Sequence, residues 1–169
     1  NFIDSAPGHI FQYDKNCRLL FIIGNISEQS GGFDKPSAIE TVGKNIYILN
    51  SGKNNVTIFS ETQFGEKVHE AVDLYNSGYY AETLDLWLEI LKYDANYPYA
   101  YKGLAYAFLR NGEYKNSMKY AKLDGDSELY DKAFREYRRI FLKENSGKFA
   151  VIILLISGII IIKKRGGNN

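Results

Sequence analysis

Cysteine and histidine are scarce in this chain of 169 residues. Cys17 is the only cysteine, which excludes an intrachain disulfide, a cysteine zinc site and a CxxC redox pair. His9 and His69 are the only histidines and lie far apart in the sequence. Motifs such as GxSxG, HExxH and GxxxxGKS/T are also absent. The sequence therefore predicts no catalytic, cofactor-binding or metal-binding residues, and we expect the protein not to be an enzyme.

An excess of charge of one sign is also missing, because the formal net charge is +1. We therefore expect no nucleic-acid partner. Apolar residues make up 45% of the chain and aromatic residues 15%, which is too much apolar surface for an intrinsically disordered protein. Twelve of the 14 tyrosines lie between Tyr75 and Tyr137, and this uneven distribution helps to divide the chain into three parts.

The first part, residues 1–63, contains short apolar runs separated by turn residues. The runs HIFQYD, RLLFIIG, SAIETV, IYILN and VTIFS are rich in β-branched and aromatic residues, which favours antiparallel strands joined by short turns. Overlaying residues 8–14 on 54–60 aligns Ile10 with Val56 and Tyr13 with Phe59. A repeat of about 40–50 residues in β-structure is typical of propeller blades.

Several segments of this part together resemble the NHL repeat. They are residues 32–39 (GFDKPSAI), 45–50 (NIYILN) and 56–59 (VTIF), preceded by a closing strand at 19–24. The resemblance implies that residues 1–63 are NHL-like β-blades, the last part of a propeller. Two blades cannot close a ring, so either the chain is the C-terminal piece of a longer protein or the β-part is an unusual open sheet. Asn50 departs from the family, which usually has aspartate there, and no strand ending in F-G follows Phe59. A generic β-meander of about five strands is the alternative reading.

The second part, residues 64–145, shows helical periodicity and a repeat of 34 residues. Ala71 aligns with Ala105, Gly78 with Gly112, and Tyr80 with Tyr114. This period resembles the tetratricopeptide (TPR) repeat, which implies a helix, a turn at glycine and a second helix in each unit. The register predicts a positive φ at both glycines. A further apolar face from Tyr130 to Phe141 predicts a helix that caps the repeats.

Aromatic side chains on TPR-like helices are the candidate contacts for a partner. Tyrosine and tryptophan make large contacts at a low entropic cost. The predicted partner-binding residues are Tyr75, Trp87, Tyr99, Tyr101 and Tyr106, excepting any that belong to the core. We expect the partner to be a protein or a glycan.

The third part, residues 146–165, is predicted to be a transmembrane helix with a basic stop, followed by a tail at 166–169. The run from Phe149 to Ile162 is uncharged and would contact membrane lipid, and Lys163, Lys164 and Arg165 follow it. The run covers only about 21 Å of the roughly 30 Å hydrocarbon layer, so the prediction relies on flanking residues and snorkelling lysines. A buried C-terminal helix or strand is the alternative.

The fold class expected for the whole chain is therefore α+β in several parts. Antiparallel β-propeller blades come first, TPR-like α-hairpins follow, and a transmembrane helix comes last. This order resembles membrane-anchored NHL/TPR proteins of Gram-positive bacteria, on the segments 60–84 and 127–145. The resemblance implies a single-pass membrane protein whose soluble part is extracytoplasmic.

The resulting functional hypothesis is a non-catalytic, membrane-tethered interaction scaffold that binds through the β-blades and the TPR surface. Two alternatives remain open at this stage. One is a carbohydrate-sensing accessory of a transporter, and the other is a lactonase-like propeller hydrolase.

Overall fold

The computed structural model describes residues 1–166, and these residues fold into six strands followed by five helices. The strands are β1 (Phe2–Asp4), β2 (His9–Tyr13), β3 (Leu19–Ile23), β4 (Pro36–Val42), β5 (Asn45–Asn50) and β6 (Asn55–Ser60). The helices are α1 (Gln63–Asn76), α2 (Leu84–Tyr93), α3 (Pro98–Arg110), α4 (Tyr114–Asp124) and α5 (Ser127–Gly166), with a 3₁₀ turn at Ala81–Thr83 before α2.

The strands form two antiparallel sheets of three, in the orders β1-β2-β3 and β4-β5-β6. In the first sheet Ile10 on the central strand pairs with Ile3 and Ile23, and it is fully buried. In the second sheet Ile48 occupies the corresponding buried position on the central strand. Ile10 and Ile48 share one apolar cluster with Phe33 and Ile46, so the two sheets bury their apolar faces against each other.

The prediction of propeller blades is wrong, because the described residues form only two three-stranded sheets. Two such sheets cannot close the ring that defines a propeller. The overlay behind the prediction also fails in detail, since it superposes β2, a central strand, on β6, an edge strand. The lactonase-like alternative depended on the central opening of a propeller and loses its structural basis with it.

Helices α1 to α4 pack in sequence around an aromatic core. Trp87 and Ile90 of α2 and Leu104 of α3 are fully buried at its centre. Gly103 allows the close approach of α2 and α3, since a Cβ there would lie 2.2 Å from Trp87 Nε1. Leu20 of β3 is buried in the same cluster, so the first sheet and the helices share one core.

Glycines in the left-handed region end three of these helices. Gly78, Gly112 and Gly125 have φ of 86°, 78° and 80°, and the first two confirm the prediction that the 34-residue register made. In each case the amide of the next residue donates to a carbonyl five positions back, the pattern of a Schellman motif. For Tyr79 the acceptor is Leu74, and the oxygen stands 3.0 Å from the nitrogen.

Helix α5 packs against α4 only near its beginning, where Leu129 and Ala133 are buried. No helix within residues 1–166 is long and apolar enough to cross a membrane. The predicted transmembrane helix over residues 146–165 is therefore wrong, and so is the single-pass membrane localisation. The physical reason is that the uncharged run is too short to span the bilayer, because a lysine flanks its 14 residues on each side. Of the predicted tail, Gly166 ends α5 and residues 167–169 lie outside the described residues.

Candidate functional site

Three of the five predicted partner-binding residues lie in the helical core. Trp87 is fully buried, Tyr75 is 6% exposed and Tyr99 is 9% exposed. The Tyr75 and Tyr99 rings meet edge to face, with centroids 5.4 Å apart. Burial raises the pKa of both phenols, as expected for groups that are costly to ionise away from water. These three residues are therefore the exceptions that the prediction allowed for.

The β2–β3 turn fills the space over the Tyr75 and Tyr99 rings. The guanidinium of Arg18 lies 5.6 Å from the Tyr75 ring centroid and 5.2 Å from that of Tyr99, and it also donates a hydrogen bond to the Tyr99 hydroxyl. Both contacts are favourable for a cation over an aromatic face. The chain thus covers part of its own aromatic helical surface with a strand turn.

Asp14 fixes the conformation of this turn. Its Oδ1 accepts hydrogen bonds from the Asn16 and Arg18 amides at 2.9 and 2.8 Å, and its Oδ2 accepts from Asn76 Nδ2 on α1 at 3.1 Å. Burial disfavours the charged carboxylate, but the hydrogen bonds from Arg18 and Asn76 outweigh burial and lower the pKa of Asp14. The turn is therefore attached to α1 by a charge-assisted contact.

Tyr106 and Tyr101 are only half-buried. Tyr106 stacks on Tyr80, with centroids 5.0 Å apart and an interplanar angle of 26°. The Arg110 guanidinium lies 5.7 Å from the Tyr80 centroid. We call Tyr80, Tyr106 and Arg110 the tyrosine stack. Tyr101 lies outside it, and its hydroxyl donates to the Ala95 carbonyl at 2.5 Å.

A second concave feature lies where both sheets meet α1. This cleft has a volume of about 560 Å³, and its walls are largely apolar. Phe21 and Phe64 line one side, with ring centroids 5.9 Å apart at an angle of 69°, and Phe59 of β6 lines another. We call it the sheet–helix cleft.

One network of charged side chains borders the sheet–helix cleft. Glu61 is hydrogen-bonded to His69 Nδ1 and lies 3.4 Å from Lys44 Nζ, which also contacts Glu66. Burial opposes the charge on Glu61, but the bonds from His69 and Lys44 prevail and lower the pKa of its carboxyl. Since an ionised carboxylate only accepts hydrogen bonds, His69 donates through Nδ1 and turns Nε2 away from Glu61.

The sequence patterns predicted no role for His69, Lys44 or Glu61. The only sequence signal was the spacing between Glu61 and His69, which corresponds to about two turns of a helix. Lys44 joins them through the β4–β5 turn, which no local pattern links to α1. The Phe21 ring packs edge to face on His69 at 5.7 Å, so an apolar strand residue completes its surroundings.

The arrangement provides an oriented imidazole beside an apolar cleft. Within residues 1–166 His69 donates its hydrogen bond to a carboxylate, and no serine, threonine or cysteine side chain hydrogen-bonds to it. His9 takes no part in this network, and its ring lies against that of Phe11, with centroids 6.2 Å apart. No group of three or more histidine, cysteine, aspartate or glutamate residues within the described chain could hold a metal ion.

Comparison with known proteins adds no assignment: neither a family model, nor a curated protein, nor a solved structure matches this chain.

Proposed function

We propose that the protein is a non-catalytic interaction module that binds a protein or glycan partner through its helical part. The observation that carries the proposal is the tyrosine stack, a half-exposed pair of aromatic rings with an arginine at its edge. Tyrosine and arginine are the residues that most often dominate binding energy at interfaces. Flat aromatic rings also offer apolar surface to sugar rings.

We further propose that the helices are a TPR-like pair. The relations at an offset of 34 residues support this reading. Ala71 and Ala105 are both fully buried, and Gly78 and Gly112 both have positive φ. Ser117 is fully buried and donates to the Ala105 carbonyl at 2.8 Å, which holds α4 close to α3. The resemblance of residues 9–59 to NHL repeats stays a prediction at the level of sequence.

The experiment compares partner capture by the wild type and by the double variant Tyr80→Leu plus Tyr106→Leu. Leucine retains apolar volume, so the helical core should remain folded while the aromatic faces are lost. Tyr13→Leu, a half-exposed tyrosine on β2, is the matched control. Captured proteins and glycans are identified by mass spectrometry, and each is then tested for direct binding to the purified chain.

We expect the double variant to lose partners that the control variant retains, with circular dichroism spectra unchanged in both. Tyr101→Leu is tested separately because Tyr101 lies outside the tyrosine stack. Identical partner sets for the wild type and the double variant would exclude the tyrosine stack as the binding surface.

A second candidate function is contact with lipid through the apolar end of α5. The side chains there are exposed on all sides of the helix, among them Ile153 at 63%, Leu154 at 71% and Ile159 at 65%. Lys148 precedes this run and three basic residues follow it in the sequence, which suits anionic head groups. This contact does not require the helix to cross a bilayer.

Flotation with vesicles tests the lipid contact. We expect the wild type to bind vesicles that contain phosphatidylserine, and Ile153→Gln plus Leu154→Gln to reduce binding. Ile140→Gln plus Leu142→Gln makes the same change earlier in α5, where both side chains are also exposed, and should have little effect. Equal binding by both double variants would reject lipid contact by this run.

A further inference from the structure

The sheet–helix cleft has the shape and the lining that are typical of a small-molecule site. Its volume of about 560 Å³ lies within the range of about 300–1,000 Å³ that is typical of small-molecule sites. Three phenylalanine rings, from β3, β6 and α1, supply its walls. Such a site usually combines apolar walls with a few convergent polar groups.

The charges at the sheet–helix cleft favour a cation as its occupant. Among the described residues that line it, Lys44 is the one cation, and Glu61 and Asp73 are carboxylates. Lys44 already contacts both Glu61 and Glu66, so its charge is balanced within the protein. An anionic ligand would meet an excess of negative charge, whereas a cation would be attracted to it.

The apolar walls determine the rest of the ligand. Phe21, Phe59 and Phe64 can cover an aromatic or branched hydrocarbon body, and aromatic rings also attract an ammonium group through their faces. His69 Nε2 points away from Glu61 and provides an acceptor for an N–H group when the imidazole is neutral. The apolar walls and the acidic rim are thus complementary to a molecule that combines an apolar body with a cationic group.

We propose that the sheet–helix cleft binds a small organic ammonium compound with an apolar, preferably aromatic, body. The ammonium group lies toward Glu61, His69 and Asp73, and the body lies between the phenylalanine rings. This site is separate from the tyrosine stack, so it adds a small-molecule function to the proposed partner binding.

The test uses the full chain and three probes of similar size that differ in charge. Phenethylammonium is the cation, phenethyl alcohol the neutral analogue and phenylpropanoate the anion. Binding is measured by titration calorimetry and by mapping amide chemical shifts. We expect phenethylammonium to bind with a Kd of about 1 mM or tighter, to shift amides around Phe64 and His69, and to bind about ten-fold tighter than phenylpropanoate.

Two substitutions locate the charge dependence. Glu61→Gln removes the partly buried carboxylate, and we expect it to weaken phenethylammonium binding by about three-fold or more. Asp73 is exposed, so Asp73→Asn leaves the fold intact and weakens binding by about two-fold. Asp131→Asn makes the same change at an exposed position of α5 and should leave affinity unchanged.

Ionic strength provides a measurement that does not depend on variants. Raising the salt concentration from about 0.1 M to about 1 M shortens the screening length from about 10 Å to about 3 Å. Phenethylammonium affinity should therefore fall, while phenethyl alcohol affinity should not. The proposal is overturned by the absence of saturable phenethylammonium binding at about 10 mM, by equal affinity for phenylpropanoate, or by wild-type affinity in both Glu61→Gln and Asp73→Asn.

Discussion

Arg18 donates a hydrogen bond to the Tyr99 hydroxyl across a separation of 81 residues, with its guanidinium over the Tyr99 ring. Arg18 belongs to the turn between β2 and β3, and Tyr99 lies in the first turn of α3. Tyr97 adds a second link nearby, since its hydroxyl donates to the Leu20 carbonyl at 3.3 Å. These contacts join the strand part and the helical part into one structural unit.

Replacing Arg18 should loosen this junction. Arg18→Met keeps apolar volume but removes the hydrogen bond and the cation over two rings, so we expect a loss of about 1–3 kcal/mol in the free energy of unfolding. The measurement is urea unfolding followed by circular dichroism. Arg110→Met, which removes a similar contact from the exposed Arg110, should cost only about 0.5–1 kcal/mol. An equal effect of the two variants would contradict a special role for Arg18.

Gly103→Ala should destabilise the contact between α2 and α3. The new Cβ would lie 2.2 Å from Trp87 Nε1 and 2.3 Å from Cε2, and the indole is fully buried. Because the ring cannot move into free space, we expect a loss of about 1–3 kcal/mol, measured by thermal unfolding. Gly147→Ala in α5 meets no atom within 4 Å and should be neutral or stabilising by about 1 kcal/mol. A neutral Gly103→Ala would show that this helix contact is looser than the structure indicates.

The 34-residue register predicts that Ala71 and Ala105 respond alike to enlargement. Both are fully buried, so Ala71→Leu and Ala105→Leu should each overpack a helix contact and cost about 1–3 kcal/mol. Chemical denaturation of the two single variants measures this. If neither substitution changes the midpoint, the two alanines do not occupy equivalent tight positions.

Acid should weaken the fold through Asp14 and Glu61. Both carboxyls have pKa values lowered from their ordinary 3.8 and 4.5, so each binds protons more readily in the unfolded chain. Their stabilising contributions are present above those ordinary values and are lost as the pH falls through the lowered values of the folded protein. Asp14→Asn plus Glu61→Gln should therefore show a smaller loss of stability between about pH 6 and about pH 3 than the wild type. An equal loss of unfolding free energy in the double variant and the wild type over this pH range would contradict this account.

Most of the local structure could be predicted from the sequence, because strands and helices follow from patterns of neighbouring residues. The apolar runs between residues 9 and 60 form strands, and Gly78 and Gly112 end helices where the register placed them. Strand β1 was missed because three residues carry too little pattern. Asn50, noted as a departure from aspartate, is fully buried and accepts from the Asp34 and Lys35 amides, as an aspartate there could.

The arrangement of these elements and the candidate sites were less predictable. The propeller prediction failed because similarity between strand sequences does not determine which strand lies at the centre of a sheet. The sheet–helix cleft was missed because Lys44, Glu61 and Phe21 meet only after the sheets dock on α1. Whether Tyr75 and Tyr99 were contact or core residues could not be predicted, because no sequence pattern indicates that the Arg18 turn covers them.

The measurement that tests the proposed function most directly is the affinity of the purified chain for a captured partner. Tyr80→Leu plus Tyr106→Leu should weaken that affinity by about ten-fold or more, while Tyr13→Leu should leave it unchanged, and circular dichroism should show that all three proteins are folded at the temperature of the measurement. Unchanged affinity in the double variant, with the fold intact, would contradict the claim that the tyrosine stack is the partner-binding surface.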